Sequence, residues 1–130
     1  MDQSFKKEER LHSKKIIDLL FETGKSFSTG PVRTIWLKSK PKPGCPVQIL
    51  ITVPKKNISK AVQRNKLKRR MREAYRKNKS PLLELLNQKG NSISLAFVYT
   101  KNEVIAYQEI EEKIILSLQR LSDIYEVDAD

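Results

Sequence analysis

One cysteine and one histidine, Cys45 and His12, are all that this chain of 130 residues offers of either type. A single thiol forms no internal disulfide, and the two side chains together cannot supply a Cys/His zinc site. Acid–base catalysis by paired histidines is excluded on the same ground. The chain has only 4 glycines and no Gly-rich phosphate loop, and no concentrated Asp/Glu group of the two-metal kind. Its longest uncharged apolar runs, around 46–53 and 93–100, fall far short of the ~20 residues of a membrane span. The opening stretch MDQSFKKEERLHSKK has no apolar core of an export signal. The expectation is one soluble, unexported domain over 1–130, in a reducing cytoplasm, with no catalytic residue and no metal ligand of its own. Cys45 reads as a tolerated loop residue, and His12 as an exposed or partly packed member of the first helix.

What the chain has in excess is positive charge, and it has it in one place. Residues 55–79, KKNISKAVQRNKLKRRMREAYRKNK, hold twelve Lys or Arg and a single acid, Glu73. Of the 26 bases and 15 acids in the whole chain, 14 of each lie outside this stretch and cancel, so the net charge of +11 resides in it entirely. Charge confined in this way is an electrostatic footprint for a polyanion, either nucleic acid or an anionic membrane surface.

The order of elements places that stretch in a small α+β domain. EERLHSKKIIDLLFETGKSF predicts a helix over about 9–23 stopped by Gly24, and PVRTIWLKS and PVQILITVP predict strands over about 31–39 and 46–53. The turn-rich KPKPGCP between them predicts a hairpin. The basic stretch predicts a helix over about 60–78 with Ser59 as its cap, ended by Pro81. SPLLELLNQKG predicts a short helix capped by Ser80 and closed at Gly90, and SISLAFVYT a third strand. Ile110, Ile114, Leu118, Leu121 and Tyr125 step at helical spacing over about 106–125. The resulting order is α-β-β-α-β-α, a small, mostly antiparallel sheet packed with about three helices, with 1–7 and 126–130 as frayed tails.

On a wheel of ~100° per residue with Val62 at zero, Leu67, Met71 and Ala74 fall at roughly 120–180°, and Asn65, Arg69, Arg72 and Arg76 at roughly 280–340°. One face packs while the other is guanidinium plus one amide. Surface helices ordinarily gain support from acids set one turn from bases, whereas here bases face bases, and each such pair costs a few tenths of a kcal/mol. A bound polyanion offsets that repulsion. A membrane-binding helix needs a broad apolar face with large side chains, and this narrow stripe is already committed to a core. A zipper-type DNA reader would continue into apolar heptads, but SPLLELLNQKG breaks the helix. RNA is the partner that fits, with neither membrane nor DNA.

RNKLKRRMREAYR resembles the RNR signature of the bacterial ribonuclease P protein family, R-N-R-x-K-R followed by R-E-A-[FY]-R. VPKKNISKAVQRN is similar to the strand and Lys-Lys turn that precede the signature, and RLHSKKIIDLLFETGKSF to the family's first helix. The resemblance implies a protein that binds a catalytic ribonuclease P RNA. That RNA, with bound magnesium ions, removes the 5′ leader of precursor tRNA. By motif position Arg64, Asn65, Lys68, Arg69, Arg72 and Arg76 would contact the RNA subunit, with Lys66 in place of the signature's second arginine. The leader would lie between the first helix and the sheet, on Phe21 and on Lys55, Lys56 and nearby Lys60. Without the resemblance, Phe21 reads as a core residue. The family's earlier helix aromatic falls on Ile17 and its strand aromatic near Ile35, with Trp36 one place on as the leader candidate. The resemblance further implies a left-handed β-α-β crossover through the basic helix, against the general rule. A non-catalytic ribosomal or RNA-chaperone-like protein on a similar scaffold is the alternative.

Overall fold

The structure, a computed structural model, describes residues 5–42 and 44–127. After a single 3-10 turn at Lys7–Glu9 come α1 (Lys14–Thr23), β1 (Lys25–Thr29), β2 (Val32–Ser39), β3 (Val47–Thr52), α2 (Ala61–Asn78), α3 (Ser80–Lys89), β4 (Ser92–Tyr99) and α4 (Tyr107–Val127). The four strands form one mixed sheet in the order β1-β2-β4-β3, with β4 antiparallel to β2 and parallel to β3.

That order overturns the expected hairpin between the strands now labelled β2 and β3. Residues of β4 are buried almost without interruption, and a strand covered on both faces belongs in the middle of a sheet. It therefore inserts between β2 and β3, and the chain crosses from β3 to its parallel neighbour through α2 and α3. The hairpin that does form joins β1 to β2 at Gly30, whose φ of 57° suits a tight turn. β1 itself, KSFST, was not foreseen, because a half-exposed edge strand needs only one buried residue, Phe27.

Strand alternation divides the core in two. Val32, Trp36, Val47, Ile49, Ile93, Leu95, Phe97 and Tyr99 face α2, α3 and α4, whereas Ile35 and Ala96, with Leu37, Leu50 and Val98, face Leu20 of α1. α2 contributes Leu67, Met71, Ala74 and Tyr75 to the larger cluster, and α4 contributes Ile110, Ile114, Leu118, Leu121 and Tyr125. Fully burying each large apolar side chain contributes ~1.5–3 kcal/mol.

Helix boundaries differ from expectation where side chains found other work. Ser13 Oγ accepts the Ile16 N–H at 3.3 Å, so α1 starts at Lys14, and the residues before it form an extended strap. The strap bridges Arg10 to Ile49, and the Leu11 N–H donates to the Ile49 carbonyl at 2.9 Å, covering the outer edge of β3. His12 thus lies in the strap's exposed end, outside the helix. The strap also revises the frayed amino tail: the Phe5 ring meets Tyr75 edge-on at 5.7 Å. Glu126 and Val127 close the last turn of α4, and the remaining tail residues lie outside the described ones. Ser59 does not cap α2, whose first turn follows Lys60. Ser80 is the first residue of α3 and not its cap, because helical backbone at Lys79 carries α2 directly into α3. Gly90 closes α3 with φ 67° as expected.

Candidate nucleic-acid interface

The apolar stripe on α2 turns the opposite face outward. Asn65, Lys66 and Arg69 are exposed there, with Lys68, Arg72 and Arg76 half-buried at its margins. No acid lies in the first turn, and the only carboxylate within the helix, Glu73, is taken up by Arg76. Arg76 Nε donates to Glu73 Oε2 at 3.2 Å and Nη2 to Oε1, and this hydrogen-bonded pair holds the Glu73 carboxyl below the usual carboxylate range.

Other bases of the stretch are spent on the fold. Arg64, expected at the RNA surface, turns back to donate Nη1 to the carbonyls of Ile58 at 3.0 Å and Ser59 at 2.7 Å, bracing the loop that enters α2. Arg70 donates to the Ile105 carbonyl just before α4. Lys79 is 2% exposed and its Nζ lies 2.6 Å from Glu9 Oε1 in the strap.

The second set of predicted residues is only partly assembled. Phe21 is 45% exposed near the end of α1. Lys15 and Leu19 border a groove with the beginning of β4, and helical spacing sets Phe21 and Ile17 on the other flank of α1. Lys55 and Lys56 sit exposed in the turn that follows β3, and Lys60 precedes α2. The Asn57 side chain ties that turn to the sheet by donating to the Tyr99 carbonyl at 3.0 Å. Trp36 is not part of this surface. It is 7% exposed and packs at 5.4 Å on Phe27, on the face under α4, because it shares the phase of Val32 and not that of Ile35. The face under α1 is aliphatic, and Phe21 lies at its margin.

The groove beside Lys15 went unforeseen. It encloses about 610 Å³, with Leu19, Leu37 and Ile93 on its floor and Lys38, Lys40 and Lys42 at its rim. Lys38, Lys40 and Lys42 alternate in LKSKPKPG, and what only the fold supplies is the apolar floor that Leu19 of α1 and Ile93 of β4 set beside them. Cys45 also departs from expectation: it is buried, its thiol donates to the Glu8 carbonyl at 3.4 Å, and burial pushes its pKa up.

A small α+β domain that turns one cationic helix face outward and also exposes an aromatic on α1 and lysines in the turn after β3 is the class of protein defined by this geometry. The Ribonuclease P family model matches residues 5–122. The chain is 32% identical over 116 residues to the ribonuclease P protein component of Porphyromonas gingivalis, covering 89% of this chain and 85% of that one. It is 38% identical over 104 residues to that of Chlorobium phaeobacteroides, covering 74% and 71%. The solved RNase P protein from Thermotoga maritima superposes with a TM-score of 0.67 at 27% identity, over 86% of this chain and 96% of that chain. The Staphylococcus aureus RNase P protein shares the fold with a TM-score of 0.69 at 18% identity, over 87% and 96%. This chain belongs to the ribonuclease P protein family.

Proposed function

We propose that the chain is the protein subunit of ribonuclease P and acts through two surfaces. The outer face of α2 docks on the catalytic RNA, with Asn65, Lys66, Lys68, Arg69, Arg72 and Arg76 as its contacts. Arg64 acts indirectly, by holding the entry to that helix. The flank of α1 bearing Phe21, with Lys55, Lys56 and Lys60, holds the single-stranded 5′ leader of precursor tRNA. An aromatic face stacks on an unpaired base with little sequence preference, and lysines follow the backbone. The protein lowers repulsion between two RNAs and extends the grip on substrate, while the reacting groups and the magnesium ions belong to the RNA. Among the described residues no group of three or more His, Cys, Asp or Glu gathers to hold a metal ion. This reading places the protein in the cytoplasm, with the catalytic RNA and precursor tRNA as partners.

The observation that carries the proposal is the sorting of charge on α2. Arg64, Arg70 and Lys79 turn to carbonyls and to the strap, whereas Asn65, Lys66 and Arg69 stand exposed on the outward face. The test is 5′-end mapping of precursor tRNA incubated with a bacterial ribonuclease P RNA at low magnesium, with and without the protein. Cleavage at the mature 5′ end that requires the protein supports the proposal. Tight binding to ribosomal RNA without stimulation supports the ribosomal or chaperone alternative.

A further inference from the structure

The strap and α2 converge at the outer edge of β3. Arg10 reaches in from the strap and Arg72 from α2, and with Phe5, His12, Ile49 and Leu50 they line a notch of about 150 Å³. At ~30 Å³ per water molecule the space suits a small hydrated anion. Its lining contains both arginines and no carboxylate. The Arg10 guanidinium sits 5.4 Å from the centre of the Phe5 ring, which is itself docked on Tyr75.

Arg72 differs from the other arginines of α2 that are drawn against the fold. Arg64, Arg70 and Arg76 each donate to a carbonyl or carboxylate. Arg72 instead faces a second cation in a half-buried site, and burial, then the Arg10 charge, draws it below its ordinary pKa. Neither Arg10 nor Arg72 makes an ion pair among the described residues. Apart from the contact of Arg10 with the Phe5 ring, the fold offers these two forks no acceptor to offset their repulsion. A phosphodiester, which accepts from planar guanidinium donors in bidentate fashion, would turn the repulsion into a clamp.

We propose that Arg10 and Arg72 together grip one phosphodiester of bound RNA. The clamp rests on the RNA-binding reading above and adds to it a residue outside the basic stretch. Leu50 in the notch belongs to the apolar cluster under α1, and Ile49 to the one under α2. The phosphate gripped there lies at the border of the two surfaces, so either the RNA subunit or the leader can supply it.

The test compares full-length wild type with Arg10→Gln, Arg10→Lys and Arg69→Ala. One arm measures the salt dependence of binding to ribonuclease P RNA. The other measures that of the assembled holoenzyme for precursor tRNA with and without a leader. Arg10→Gln is expected to flatten one slope by about 0.7–0.9, the loss of one phosphate contact. A change in the first arm assigns the phosphate to the RNA subunit, and a change confined to leader-bearing substrate assigns it to the leader. Arg10→Lys, which keeps the charge, should retain the slope, and the thermal midpoint of free Arg10→Gln should stay level or rise as repulsion is relieved. Wild-type slopes in both arms for Arg10→Gln, beside a flattened slope for Arg69→Ala, overturn the clamp and leave the docking reading standing. A slope loss in Arg10→Gln accompanied by a lowered thermal midpoint of the free protein also overturns it, as damage to the strap. Failure of the wild type to bind ribonuclease P RNA removes both.

Discussion

Lys79→Met should be among the most damaging single changes outside the apolar core, and its cost can be worked from the clasp that Lys79 makes. Lys79 is 2% exposed, Glu9 is 8% exposed, and their charged atoms lie 2.6 Å apart. The ammonium also sits 5.9 Å from the Phe5 ring centre and 6.0 Å from that of Tyr75. The second Glu9 oxygen accepts the Lys6 N–H at 2.8 Å, so the carboxylate cannot leave without undoing the strap. Methionine keeps most of the lysine stem and its packing, which makes the cavity contribution small. What remains is an uncompensated buried carboxylate, and breaking such a pair costs ~3–5 kcal/mol. At ~3–5 °C per kcal/mol for a domain of this size, the thermal midpoint should fall by about 10–25 °C. Thermal unfolding followed by circular dichroism reads the shift. The double variant Glu9→Gln/Lys79→Met, which removes both charges, should recover at least half of the loss, as a double-mutant cycle requires of coupled partners. A loss below ~1 kcal/mol for Lys79→Met, the worth of an exposed pair, would refute the reasoning and mean that water screens the clasp.

Arg69→Ala should flatten the salt dependence of binding to ribonuclease P RNA by about 0.7–0.9 while leaving the thermal midpoint unchanged, since Arg69 is exposed; an unchanged slope, measured by titration over a range of salt, would remove it from the interface. Phe21→Ala should spare that binding and weaken holoenzyme affinity for leader-bearing precursor tRNA by ~1–3 kcal/mol, the value of one base stacked on an aromatic ring. Equal loss with leaderless substrate would contradict a leader contact. Tyr75 and Tyr99 are pushed up chiefly by burial, and Tyr107 to about 12 by burial and its hydrogen bond to Glu111. Because their neutral forms are favoured in the fold, that stability is fully present below ~10, the unfolded tyrosine value, and is lost as pH rises through the folded values. Absorbance titration should show these phenolates appearing together with unfolding, and their ionisation ahead of any loss of helix signal would be the contrary result. Cys45, buried and with its thiol pushed up, should resist maleimide at neutral pH until the protein is denatured; rapid labelling of the folded protein would show that its cover opens.

Features set by local spacing were legible from residues alone, and features set by partners distant in sequence were not. The apolar steps of α4 and the stripe of α2 repeat within a few turns, so their buried faces could be read directly. β4 announced itself as a strand, but its position between β2 and β3 depends on how three separate segments pair, which no stretch of SISLAFVYT encodes. Alternation alone sets Trp36 in phase with Val32 and on the opposite sheet face from Ile35, where the family's strand aromatic falls, and the structure keeps it there. Arg10 carried no signal, because its worth arises only when Arg72 arrives from α2 to face it.

The same distinction governs the charge itself. A count of bases locates the field of the protein but treats Arg64, Arg69 and Lys79 as equals. The fold makes one a brace for a loop, one an exposed cation and one half of a buried clasp. Neutralising them singly should therefore produce three different defects, in helix entry, in RNA affinity and in stability. Net charge predicts a single graded effect, so the separation of those three outcomes in one set of alanine variants is what distinguishes a built interface from a basic surface.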